Sequence, residues 1–159
     1  MSSLLTTLAK DFPNIAMVSS DSFYWSPRKK TVFYIDEKLS DTVGEWSLLH
    51  EIGHALLEHQ TYQTDFNLLQ LEVMAWDKAQ ELAKKYKVVI DPDHIQDCLD
   101  TYRDWLYQRS TCPTCTSCSL QIDSSTYRCF NCNTEWRVSR SRKCRTYRKK
   151  QTAKLPVMV

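Results

Sequence analysis

Residues His50-Glu51-Ile52-Gly53-His54 form the pattern H-E-x-x-H. On a helix, positions i and i+4 share a face about 5–6 Å apart at Cβ, so two imidazoles can converge on one ion with Glu51 beside them as a base. Two imidazoles do not complete a catalytic zinc site, which takes three protein ligands and keeps one position for water. A metzincin pattern would place Gly at 57 and His at 60, where this chain has Leu57 and Gln60. Glu58 shares a face with His54 but lies too far along the helix from His50, and one straight helix cannot wrap three ligands around an ion. His59 points about 140° away from His54 on the helical wheel. Glu72 is different, because Leu68, Leu69, Ala75, Trp76 and Ala79 flank it at helical spacing. A carboxylate buried in such a stripe without a partner would cost several kcal/mol, and a cation on the facing helix removes that cost. His50, His54 and Glu72 are therefore the expected ligands, with Glu51 as the catalytic base. Zinc at such a site acidifies its water and polarises a carbonyl, while Glu51 moves the proton to the leaving amine. Tyr62, His59 and Tyr34 are candidates for stabilising the intermediate.

A second constellation follows: Cys112-Pro113-Thr114-Cys115 and Cys129-Phe130-Asn131-Cys132, two C-x-x-C knuckles at zinc-ribbon spacing. So short a segment cannot bury a useful core, and a structural zinc would supply on the order of 10–16 kcal/mol of its folding free energy. Cys118 could replace Cys112 or Cys115 in register. Cys98 reads as a core residue and Cys144 as a free thiol.

The elements that must position these groups come from periodicity. A short amphipathic helix around Leu4, Leu5, Leu8 and Ala9 opens the chain. Segments 14–19, 22–25 and 31–35, rich in β-branched and aromatic residues, predict a small antiparallel sheet, in which 31–35 is expected as an ordinary strand, with service as an edge for an extended peptide the alternative. Thr42 and Glu45 form a capping box opening a helix to about His59, apolar around nearly its whole circumference and hence buried. A second helix spans roughly Phe66 to Tyr86, and a third follows Asp91-Pro92-Asp93 and ends near Arg109. The expected fold is α+β: a small sheet packed on a helical bundle carrying H-E-x-x-H over residues 1–109, a zinc ribbon over 110–137, and a basic, flexible tail over 138–159.

Composition narrows the function classes. The only glycines are Gly44 and Gly53, so no glycine-rich phosphate cradle can be assembled. No apolar run approaches the ~20 residues of a membrane span, and Met1 to Lys10 lacks the pattern of a secretory signal, so the expectation is a cytoplasmic protein. Residues 1–136 hold 12 Lys+Arg and all 19 acids, whereas 137–159 hold nine Lys+Arg and no acid. Such a tail, with the ribbon, could neutralise nucleic-acid phosphates.

His50-Glu51-Ile52-Gly53-His54 followed by Glu72-Val73-Met74-Ala75-Trp76, after a strand-rich N-terminal part, resembles the ImmA/IrrE family of zinc metallopeptidases over about residues 10–90. The resemblance implies a gluzincin-like intracellular endopeptidase with His50, His54 and Glu72 as zinc ligands and Glu51 as base. Several members inactivate DNA-binding repressors of helix-turn-helix type. An H-E-x-x-H domain followed by a zinc ribbon also resembles SprT-like proteases acting near DNA, which use a third histidine, for which His59 and His94 are the candidates. A non-catalytic zinc and nucleic-acid-binding protein is a further reading. The enzyme reading implies two Zn2+ ions, one catalytic and one structural, and a protein or peptide substrate.

Overall fold

The computed structural model describes residues 3–151 and has an α+β fold. The chain divides into two compact units. One runs to Tyr62 and resumes over Leu69–Leu99; the other is Gln63–Leu68 with the chain from Asp100 onward. This division does not follow the expected boundary at residue 109. No helix among the described residues is long and apolar enough to cross a membrane.

In the first unit α1 (Ser3–Asp11) buries Leu4, Leu5 and Leu8, three residues at the spacing of one helical face. A three-stranded sheet follows, β1 (Ala16–Ser19), β2 (Tyr24–Ser26) and β3 (Thr31–Tyr34), in the order β1-β3-β2. β2 and β3 are antiparallel, with Trp25 opposite Val32, while β1 runs parallel to β3. β3 is thus the central strand, an ordinary sheet strand and not an edge to which a peptide could add. Its burial agrees: Thr31, Val32 and Tyr34 are all buried, whereas β1 and β2 have no buried residue.

A 3-10 turn (Asp36–Ser40) leads into α2 (Thr42–Leu56). The expected capping box is displaced by one residue. Asp41 is the N-cap, its carboxylate accepting from the Gly44 N–H at 2.8 Å, which makes Thr42 the first helical residue. A Cβ on Gly44 would lie 1.8 Å from the Lys38 carbonyl oxygen, so only glycine lets the turn fold back onto the helix here. α2 buries Leu48, Leu49, Ile52 and Ala55 in a core shared with Trp76, Ala79, Leu82 and Ala83 of α3 (Asp65–Tyr86) and Ile95 and Leu99 of α4 (Pro92–Ser110).

In the second unit β4 (Leu120–Gln121), β5 (Thr126–Arg128), β6 (Glu135–Val138) and β7 (Arg148–Lys150) form an antiparallel sheet in sequence order. The segment expected as a flexible tail supplies β7, whose Lys149 pairs with Arg137 of β6; residues 152–159 of that expectation lie outside the described part. Composition hid this strand, because Arg148-Lys149-Lys150 carries no β-branched or aromatic residue.

Beneath this sheet lies a polar cluster without a signature in the sequence. Asp65 accepts from Arg109 Nε at 2.6 Å, from Arg109 Nη2 at 3.2 Å and from the Tyr127 hydroxyl at 2.6 Å. Arg109 also donates to the Ser139 carbonyl and lies 4.5 Å over the Trp105 ring, and its own carbonyl accepts from Trp136 Nε1 at 2.8 Å. Asp65 and Arg109 are 2% and 1% exposed, so neither charge could persist there without the other.

Candidate metal centres

The H-E-x-x-H helix brings its two imidazoles together as the i, i+4 spacing requires. His54 Nε2 is 3.1 Å from His50 Nε2, Glu72 Oε2 is 3.2 Å from His50 Nε2, and Glu72 Oε1 is 3.6 Å from His54 Nε2. Three donors set tetrahedrally at the usual 2.0–2.1 Å from zinc would stand about 3.3 Å apart, so these separations suit one small ion. His50 and Glu72 are buried, and the three side chains form a group able to hold a metal. Burial favours the neutral acid at Glu72, but hydrogen bonds with His50 and His54 prevail and hold its carboxyl down at about 2.

α3 can come this close because of the second glycine. A Cβ on Gly53 would lie 2.6 Å from the Ala75 carbonyl oxygen. Gly53 lies between the two histidines on α2 and Ala75 lies one turn after Glu72 on α3, so the contact sets the interhelical separation beside the ligands. Trp76 adds a wall, its ring 4.3 Å from that of His50.

Glu51 is not part of that group of three. Burial pushes its carboxyl above the usual range, opposed chiefly by the neighbouring His50 and His54 and to a smaller extent by the Trp25 backbone on β2. β2 is an edge strand of its sheet. A cleft of about 720 Å³ opens between Phe12, Trp25, Pro27, Ala55, Leu56 and Glu58. Ala55 lies one turn after Glu51 on α2, and Glu58 lies just beyond the end of that helix.

His59 departs from the expectation that it points away. α2 ends at Leu56, Leu57 is the cap, and Glu58 turns left-handed at φ 52°. The Glu58 N–H then donates to the Ala55 carbonyl at 3.1 Å and the His59 N–H to the His54 carbonyl at 3.0 Å, the bond pair of a Schellman motif. Side chains at the two ends of that motif meet, and here they are His54 and His59, Nδ1 to Nδ1 at 2.8 Å. A lone pair on His54 Nε2 requires the ring proton on Nδ1, from which it donates to His59. Burial, then the neighbouring His54, lowers the His59 pKa and keeps that ring a neutral acceptor. The backbone of His59 is fixed in turn, its carbonyl accepting from Trp25 Nε1 at 3.0 Å. No glycine or asparagine marks this helix end, so the sequence carried no sign of the reversal.

His94 is not part of the group: its ring lies against Trp46 and Trp76, and its Nε2 is 3.6 Å from Cys98 Sγ. Of the candidates for stabilising an intermediate, Tyr34 and His59 are buried, leaving Tyr62 exposed.

The ribbon cysteines meet as their spacing predicts. Cys112 Sγ is 3.6 Å from Cys132 Sγ and Cys115 Sγ is 3.4 Å from Cys129 Sγ, and none of the seven cysteines is in a disulfide. Four sulfurs at the usual 2.3 Å from zinc would stand about 3.8 Å apart, so the group suits a closed tetrahedral site. The two knuckles repeat one backbone design. Cys112 N–H donates to Ser117 O and Cys129 N–H to Thr134 O, both at 2.9 Å, with Thr116 and Asn133 left-handed at φ 63° and 58°. Hydrogen bonding with Ser117, then with Asn131 and Cys129, brings the Cys115 thiol down to about 5, which favours the thiolate a metal needs. Cys118 and Cys144 are exposed and stand outside the group of four.

No family model, no curated protein and no solved structure matches this chain.

Proposed function

We propose that this protein is an intracellular zinc-dependent endopeptidase of ImmA/IrrE type, with His50, His54 and Glu72 holding the catalytic ion and Cys112, Cys115, Cys129 and Cys132 a structural one. The observation that carries the reading is the convergence of two imidazole nitrogens and one carboxylate beside a fourth group, Glu51, that is not a ligand. A zinc ion bound there supplies Lewis acidity toward a peptide carbonyl and lowers the pKa of water toward neutrality. The residues of the chain do the rest. Glu51, its carboxyl raised by burial, takes a proton from the attacking water and delivers it to the leaving amine nitrogen. His59 fixes the ring of His54. An extended substrate lies along the β2 edge, its side chains entering the cleft beside Ala55 and Glu58. Exposed Tyr62 is the candidate donor to the developing oxyanion. DNA-binding repressors are the substrate class that the family resemblance suggests.

A SprT-like site would need a third histidine. His94 is engaged with two tryptophans, and His59 meets His54 at Nδ1, on the side of that ring away from the ligand group, which favours the carboxylate-completed reading. The test is Glu51→Gln in the full chain. It should retain two zinc ions while cleavage of a protein substrate falls by about 10²–10⁴-fold, the range for loss of a general base. Undiminished cleavage by Glu51→Gln would defeat the peptidase reading.

A further inference from the structure

The basic segment of the ribbon has a built geometry. Tyr127 and Trp136 are cross-strand partners with rings 5.6 Å apart, both buried, and they define the inward face of the sheet. Side chains alternate along a strand, so Arg137 of β6 points outward, and Lys149, its direct partner on β7, points outward with it. Tyr147, immediately before β7 and two residues from Lys149, is 51% exposed. Arg128 and Glu135 also lie on the outward face, but they neutralise each other at 2.6 Å.

Arg137 and Lys149 are therefore like charges directly opposite each other on adjacent strands, an arrangement that weakens a sheet. Both are exposed, and among the described residues neither has a carboxylate partner; the same holds for Arg140, Lys143 and Arg145 in the adjoining loop. That loop is anchored by two other cations. The Arg142 guanidinium lies 3.5 Å over the Tyr102 ring and donates to Thr101 Oγ1, and Arg148 donates to the Thr111 carbonyl at 2.7 Å. Lysines commonly guard an exposed edge strand against mispairing. Guarding accounts for Lys149, but not for Arg137 on an interior strand or for an exposed aromatic ring beside β7.

We infer that the outward face of the ribbon sheet binds single-stranded nucleic acid, with phosphates on Arg137, Lys149, Arg140, Lys143 and Arg145 and a base stacked on Tyr147. An acidic protein would satisfy the cations but leave the ring unused. A duplex keeps its bases stacked on one another and offers none to Tyr147, whereas a single strand supplies both phosphates and free base faces. The inference is independent of the peptidase reading, since none of these residues touches the histidine site.

The experiment is fluorescence anisotropy of the full-length, zinc-loaded protein with dye-labelled oligothymidylate over a range of salt. Five phosphate contacts predict a slope of log affinity against log salt of about −3.5, and Arg137→Gln with Lys149→Gln should weaken it by about 1.4. The charge-preserving pair Arg137→Lys with Lys149→Arg should keep the wild-type slope, which separates lost charge from lost folding. Tyr147→Ala should lower affinity about tenfold without changing the slope. The inference is overturned if oligothymidylate does not bind at low salt or if the Gln pair keeps the wild-type slope. It is equally overturned if a duplex binds as tightly and Tyr147→Ala is silent. Displacement by polyglutamate as effective as by unlabelled oligothymidylate would assign the face to an acidic protein instead.

Discussion

Gly53→Ala tests whether helix spacing governs the histidine site. Helix propensity alone favours the change, since alanine replaces glycine in a helix interior with a gain of about 1 kcal/mol. The structure opposes it. The new Cβ would stand 2.6 Å from the Ala75 carbonyl oxygen, closer than the 3.0 Å below which such contacts essentially never occur. α3 must then withdraw by about 0.4 Å to reach that limit, or about 0.9 Å to restore an ordinary 3.5 Å contact. Glu72 lies one turn from Ala75 and moves with it, while metal–ligand distances tolerate only about 0.2 Å. Overpacking of this kind costs about 1–3 kcal/mol, so net stability should stay level or fall by up to about 2 kcal/mol. Zinc affinity at the histidine site should drop by about 10–100-fold, the loss typical when the support of a ligand is disturbed. Competition against a chromophoric chelator, with the cysteine site already filled, measures the affinity, and urea unfolding measures the stability. A Gly53→Ala protein that is more stable by the full propensity gain and binds zinc as tightly as wild type would refute the reasoning.

Three further outcomes are expected. His59→Ala should weaken zinc binding at the histidine site by about 10–100-fold and leave the cysteine site unchanged, as read by the same competition titration, because it removes the acceptor that orients His54. Cys129→Ser should reduce bound zinc from two ions to one and abolish the near-ultraviolet signal of the buried Trp136, as followed by metal analysis and circular dichroism. Asp65→Asn should leave Arg109 charged and unpaired in the interior, lowering stability by about 3–5 kcal/mol in denaturant unfolding; a loss below about 1 kcal/mol would show that this pair is not what holds the ribbon unit.

The chemistry-bearing groups were legible because each obeys a local rule. His50 and His54 are one helical turn apart, Glu72 is a carboxylate in an apolar stripe, and the four cysteines fall in knuckles of fixed length. What the sequence hid depends on chain reversals and on partners far away. His59 reads as misdirected only if α2 is extended through it, and the left-handed Glu58 that ends the helix belongs to a residue type that seldom adopts that conformation. Asp41 and Thr42 are both competent caps side by side, and only the geometry of the preceding turn selects the aspartate. The central place of β3 reflects strand order, which periodicity does not encode. Asp65 and Arg109 each look like a surface residue of its own helix. Their burial follows from a contact 44 positions apart in the chain.

Glu58 stands where most helices of this ending place glycine. A left-handed backbone costs an ordinary residue on the order of 1–2 kcal/mol, and replacement by glycine would remove it at once. The chain instead keeps a carboxylate there, on the rim of the cleft beside the H-E-x-x-H helix. The helix end thus carries a small permanent tension together with a carboxylate on the cleft rim. Lys30 lines the same cleft, so charges of both signs face its interior.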